Sequence, residues 1–497
     1  MRKYIQIISF LLAAVTLSGC ENWLDVKPET EVNEDDMFNT EQGFMDALYG
    51  IYVNMGKSDL YGGTLQTALD MTAQYYSYYD ISECPYGHYQ TFEYEHPSCT
   101  AISDALWMRI YYCIGLTNNL LKYLDKPEAV QICSNYDYLR GEALALRAYL
   151  HFELIRIFAP DVKKNPEYKS IPYRKTFSPD IEPQLKVKEV YQEILADLTE
   201  AKQLLSNDVI RTNGPDWLGE SEKKEESDDV TDKNEGYYTS DFLKTRKYRM
   251  NYYAVLGTLA RVHLTLGTTD DMEKAYDYAM EVIESGKFRP IQEEHILVSG
   301  EQAKYRDILF TDEFIFGLYS AQVDAFYNFD ESYGVKKILI NKLSDIYGQG
   351  TRDLRQTHWF KTSWGTSYLL KHNADLEYAK EKVRMITLAE MYYIAAECLL
   401  RKNDPKAADY FNAVLESRGL VALDDRIPAE SLTIEKITQE RYKEFVGEGQ
   451  TFFNMKRLNL DIQAITGEIL PAANSIYTVP VPEEEFNYRN EVYDVKQ

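Results

Sequence analysis

Two groups of aromatic residues carry the most suggestive chemistry in this chain. Tyr75, Tyr76, Tyr78, Tyr79 and Tyr86 crowd a stretch that also holds Tyr89, Phe92 and Tyr94 among Gly, Pro, Ser and Asp. Phe326, Tyr327, Phe329 and Tyr333 form a second group. Both lie where loop-forming residues interrupt helical patterns, and loops are where binding residues concentrate. A flat Tyr or Phe ring can stack on the apolar C–H face of a sugar ring, while nearby Asn, Asp or Gln bind its hydroxyl rim. Such a ring also loses little rotamer freedom on binding. Most of the 41 tyrosines must serve packing instead. Trp217, Trp359 and Trp364 are weaker candidates.

Catalytic patterns are missing. The chain has no HExxH, no GxSxG and no P-loop. Gly447-x-Gly449 lacks the third glycine of a dinucleotide fingerprint and reads as a helix stop. The seven histidines are scattered, and His151 and His263 fall inside helical patterns, where a structural role is expected. We therefore assign no catalytic residue, metal ligand or cofactor. A glycosidase needs two carboxyls at a fixed separation, which sequence cannot show. The formal net charge of −25 argues against nucleic acid as a partner.

The N-terminus predicts location. Arg2 and Lys3 precede an apolar run from Ile5 to Leu17, too short to span a bilayer. It ends in Leu17-Ser18-Gly19-Cys20, similar to a bacterial lipobox, so residues 1–19 read as a lipoprotein signal peptide with Cys20 as the lipid attachment site. Cys84, Cys99, Cys113, Cys133 and Cys398 remain, with no CxxC pair. Cys84 and Cys99 could close a loop disulfide or stay as buried thiols.

The elements that must position the rings are mostly helical. In residues 138–159, Leu139, Ala143, Leu146, Leu150, Leu154 and Ile157 recur at steps of three and four, one stripe of a helix that Pro160 stops. Ala145 and Ala148 leave room for a close neighbour. Further helices are expected over 33–55 (with Thr40 as cap), 102–123, 187–205, 246–267, 272–285, 384–401, 405–418, 434–450 and 452–458. Residues 65–100 read as loop. Residues 214–236 are strongly polar and read as an exposed, mobile insert.

Several of these stretches together resemble the SusD/RagB family. They are LRGEALALRAYLHFELIRIFA followed by Ile171-Pro172-Tyr173, RMNYYAVLGTLARVHLTLG, RMITLAEMYYIAAECLLR, ERYKEFVGEGQ and YTVPVPEEEFNYRN. They run from residue 20 to about residue 490 in the family's order. Gln450 and Asn454 depart from the Arg and Asp usual in the family. The resemblance implies a mainly α fold of tetratricopeptide-like helical hairpins, with a loop-rich ligand region and short strands. It implies one continuous body, with an N-terminal helical region over 20–300 and a C-terminal region over 301–497. It also implies an outer-membrane lipoprotein facing the cell exterior, which binds nutrient glycans through loops of the two aromatic regions. A SusC-type, TonB-dependent transporter would be the partner, with this chain as its hinged lid. Peptide capture by the same kind of lid is the alternative, and a lipoprotein glycosidase the second.

Overall fold

The computed structural model describes residues 34–76, 84–218, 241–326, 337–348, 352–363, 365–372, 375–420 and 426–487. Cys20, the signal peptide and residues 219–236 of the polar insert lie outside them.

The longer helices are α1 (Glu41–Met55), α2 (Thr64–Thr72), α3 (Pro97–Leu124), α4 (Tyr136–Phe158), α5 (Val187–Leu204), α6 (Tyr252–Leu266), α7 (Thr269–Glu284), α8 (Leu388–Arg401), α9 (Ala407–Ser417), α10 (Ile434–Glu444) and α11 (Gln450–Leu458). From α3 to α9 each of these helices packs on the next, and α1 lies against α3. This is the stacking of helical hairpins in which each pair covers its neighbour's apolar face. Thr40 caps α1 by accepting the Gly43 N–H at 3.2 Å. Gly267, at φ +71°, ends α6 in the left-handed conformation that glycine tolerates best.

Helix α4 is the centre. Its predicted stripe is buried, and so is nearly every other side chain on it, because α3 and α5 cover opposite sides. Its charged residues are buried with partners. Glu142 accepts from Arg246 and Arg249, and Arg147 holds Asp197 at 2.7 Å. Gly141 fits where a Cβ would come within 2.8 Å of Leu205. Each fully buried Leu of the stripe contributes about 1.5–3 kcal/mol.

Three expectations need correction. Residues 382–387 are not helical. Strand β5 (Lys382–Thr387) pairs antiparallel with β1 (Phe314–Tyr319), Gly317 facing Arg384, and only then does α8 begin. The alternation of Val383 and Met385 with Lys382 and Arg384, followed by the β-branched Ile386 and Thr387, suits a strand once β1 supplies the hydrogen bonds. The helix expected over 434–450 ends at Glu444, and Gly447 and Gly449, both at positive φ, turn the chain before α11. Within residues 65–100, expected as loop, 65–72 belong to α2 and are all buried, and 97–100 open α3. The remaining strands are short: β2 (Lys337–Leu339), β3 (Phe360–Ser363) and β4 (Thr366–Leu369) form one sheet with β4 central, and β6 (Ile462–Gln463) pairs with β7 (Ile469–Leu470).

Candidate functional site

The first aromatic group divides. Tyr75 and Tyr76 are fully buried, not ligand-facing. Tyr75 stacks on Tyr442 at 4.3 Å, and its hydroxyl meets the Tyr442 carbonyl and, at 2.7 Å, the Thr451 hydroxyl. The Tyr76 hydroxyl donates to Asp70 at 2.9 Å. A buried phenol needs a polar partner, and both have one within the protein. Trp359 is likewise buried, donating its indole N–H to the Ile308 carbonyl. Trp217 is half-buried beside the insert.

Tyr86 and Phe326 come together. The Tyr86 hydroxyl lies 3.2 Å from the Thr64 hydroxyl at the start of α2. The Phe326 ring covers the adjacent Gly63, where an added Cβ would sit 2.4 Å from the ring. The two predicted loop regions thus meet at the Gly63–Thr64 turn. Tyr78, Tyr79, Tyr327, Phe329, Tyr333 and Trp364 lie outside the described residues.

The same turn belongs to a loop that leads to an open cavity of about 470 Å³. The Ser320 hydroxyl donates to the Gly56 carbonyl, and the Ser58 N–H donates to the Gln322 side chain at 2.8 Å. Those bonds hold the end of β1 against the end of α1. Tyr319, the last residue of β1, is 53% exposed and leans on Tyr248 at 4.4 Å. Tyr49 forms another wall from α1, with the Arg249 guanidinium 5.3 Å from its ring centre. Burial pushes the hydroxyls of Tyr49, Tyr248 and Tyr319 above the ordinary phenol range, so all three stay protonated at neutral pH. Arg249 is neutralised by Glu142, and Lys244 at the mouth by Asp241. The cavity therefore offers rings and hydroxyls with little net charge. Sequence reasoning missed Tyr49, Tyr248 and Tyr319 as site residues. Tyr49 and Val53 sit one turn apart, off the apolar stripe of Phe44, Leu48 and Ile51, and an aromatic residue off the buried face was the available signal.

Among the described residues, no group of three His, Cys, Asp or Glu side chains is placed to hold a metal ion. No described helix is long and apolar enough to cross a membrane.

Helical hairpins with a ring-lined, nearly neutral cavity between α1, the end of β1 and residues 241–249 define a binding scaffold. Residues 22–214 match a family model described as "Starch-binding associating with outer membrane", and residues 330–494 match the SusD family model. Between them the two cover well over half of the chain, which belongs to the SusD/RagB family. Its fold is similar to that of a SusD superfamily protein from Bacteroides thetaiotaomicron, with a TM-score of 0.69 and 21% identity over 90% of this chain and 98% of that one. A putative sugar binding protein from Bacteroides vulgatus gives a TM-score of 0.68 and 21% identity, covering 90% and 96%. Surface glycan-binding protein A from Bacteroides thetaiotaomicron gives 0.61 and 16%, covering 91% and 98%. No curated protein matches the chain.

Proposed function

We propose that this chain binds nutrient glycans at the outer membrane, without catalysis, and passes them to a SusC-type, TonB-dependent transporter. The observation that carries the binding role is the open cavity walled by Tyr49, Tyr248 and Tyr319, whose protonated hydroxyls border stackable rings. Tyr86, buried, and Phe326, partly buried, meet the Gly63–Thr64 turn outside the lining of that cavity. Tyr78, Tyr79, Tyr327, Phe329 and Tyr333 adjoin those two residues in the sequence and belong to the same reading. The near-neutral lining suits an uncharged sugar chain. The family's description and two sugar- or glycan-binding structural neighbours support this class of ligand. Lipid on Cys20 would supply the anchor, two or more acyl chains being needed for stable attachment.

Affinity electrophoresis of the mature chain through gels containing neutral polysaccharides tests this. Retention is expected, and Tyr319→Ala, which removes the most exposed wall, should abolish most of it. Retention of peptides but not of glycans would transfer the site to peptide capture. Shortening of the polymer during the run, lost on a single carboxylate change, would make the protein a glycosidase.

A further inference from the structure

Helix α3 carries a second apolar face that the described residues leave partly open. Leu106, Ile110, Ile114 and Leu121 point into the core. Met108, Tyr111, Tyr112 and Gly115, spaced i, i+3, i+4, i+7, share another face and form one wall of an open groove of about 660 Å³. Met108 is 64% exposed and Tyr112 52%. Residues 172–181 form the opposite wall, with Phe177 and Ile181 also half-exposed.

This loop wall is fixed in place. Tyr111 donates its hydroxyl to the Pro172 carbonyl at 2.8 Å, the Asn118 amide donates to the Arg174 carbonyl at 3.0 Å, and the Arg174 N–H donates to His151 at 3.0 Å. Arg174, Thr176, Ser178 and Asp180 line it with hydroxyls and charge, and Glu484 and Glu485 complete the lining.

Gly115 sharpens the inference. A glycine inside a helix weakens it, and it is repaid where a neighbour approaches closely or φ is positive. Neither holds here: an added Cβ would meet nothing within 4 Å, and the backbone is not left-handed. What the missing side chain does leave is open floor.

We propose that this groove is a second carbohydrate site, taking a neutral stretch of the same polymer. The inference rests on the glycan-binding reading. One wall offers flat rings and the facing wall offers donors and acceptors, the pairing that a sugar ring with an apolar face and a hydroxyl rim requires. Carboxylates of Asp180, Glu484 and Glu485 accept from sugar hydroxyls and repel acidic polysaccharides. Among the described residues, none lines both this groove and the Tyr319 cavity. A polymer long enough to engage both sites gains affinity by multivalency.

The test uses the full mature chain, starch, xylan and galactomannan as neutral probes, and polygalacturonate as the acidic one. Gly115→Leu should fill the groove, and Tyr112→Ala with Phe177→Ala should strip its rings. Thermal unfolding of Gly115→Leu should occur at the parent temperature or above it, since leucine favours the helix. Both variants should weaken binding of a retained neutral polymer at least about tenfold, leave short oligosaccharides bound through Tyr319, and leave polygalacturonate unbound. Polymer affinity unchanged in both variants, with Tyr319→Ala still harmful, overturns the second site alone. No retention of any glycan by the parent chain overturns both readings. Unchanged glycan binding together with lost association of a protein partner in Gly115→Leu would reassign the groove as a docking face and overturn the proposal.

Discussion

The Asp70 carboxylate accepts the backbone N–H of Gly449 at 2.9 Å, across 379 positions of chain. The Gly447 N–H reaches the other oxygen at 2.6 Å, and the Tyr76 hydroxyl adds a third bond. Gly447 and Gly449 sit at φ +84° and +69°. That left-handed turn aims two N–H groups at one carboxylate. The GxG pair, which resembles part of a dinucleotide fingerprint, is thus occupied by the protein's own anion. It also ties α2, and with it the Gly63–Thr64 turn, to the start of α11.

Asp70→Ala should therefore cost about 2–4 kcal/mol, because it removes hydrogen bonds to a charged acceptor and leaves buried N–H groups unpaired. Urea unfolding would measure it as a lower midpoint at unchanged slope. Gly449→Ala should also destabilise, since a Cβ there would lie 3.2 Å from the Gln66 Cα at a φ unfavourable to alanine.

His151 makes stability pH-dependent. Its Nδ1 donates to the Arg147 carbonyl at 2.8 Å, and its Nε2 accepts the Arg174 N–H at 3.0 Å. The second bond requires the neutral ring, and burial lowers its pKa to about 3. The unfolded chain, with an ordinary histidine near 6.5, binds the proton first. The His151 contribution is complete above about 6.5 and is lost as pH falls toward 3, at up to about 1.4 kcal/mol per pH unit. Unfolding free energy measured across that window should fall less steeply in His151→Gln than in the parent.

How much of this was legible in the chain follows from where each residue's partner lies. The spacing of Leu139, Leu146, Leu150 and Leu154 predicted α4 because a helix is set by neighbours three and four residues away. Its burial on all sides was not legible, because Glu142 depends on Arg246 and Arg249, more than a hundred positions on. Residues 384–387 of β5 read as helix for the same reason: β1, their hydrogen-bonding partner, lies far upstream. Tyr75 and Tyr86 look alike in sequence. Both are buried, the first against Tyr442 and Thr451 and the second beside Thr64, and nothing local announces either partner.

The five described cysteines are buried and none is in a disulfide, so no bond joins Cys84 to Cys99. Burial pushes the thiols of Cys99, Cys113, Cys133 and Cys398 up to about 12. Reagents attack the thiolate, which is then scarce at neutral pH. Ellman's reagent should find almost no reactive thiol in the native protein and all five after denaturation without reductant. Fewer after denaturation would reveal a disulfide.

Glu444, at the end of α10, joins three segments through three arginines. Its oxygens accept from Arg355 at 3.0 Å, from Arg384 at 3.0 Å, and from Arg418 at 2.8 and 3.0 Å. Asp353, Glu313 and Glu448 pair the same arginines on their far sides. Burial alone would raise the Glu444 pKa, yet the guanidiniums hold it well below the usual carboxylate range. Glu444→Gln keeps the shape and removes the charge, leaving three buried cations short of an anion. Breaking one partner out of a buried ionic cluster costs about 3–5 kcal/mol. Neutralising Asp125, which meets Arg140 at the surface, should change stability little. The sign with pH follows from the depressed pKa. The Glu444 contribution is full above the unfolded value near 4.5 and disappears as acid protonates the folded carboxyl. Glu444→Gln should therefore lose most relative stability at neutral pH, and its deficit should narrow as the pH drops below about 4.5. Chemical unfolding at pH 7 and at pH 3.5 measures both, and an equal deficit at the two values would remove the ionic cluster from the account of what holds β5, α10 and the segments around Arg355 and Arg418 together.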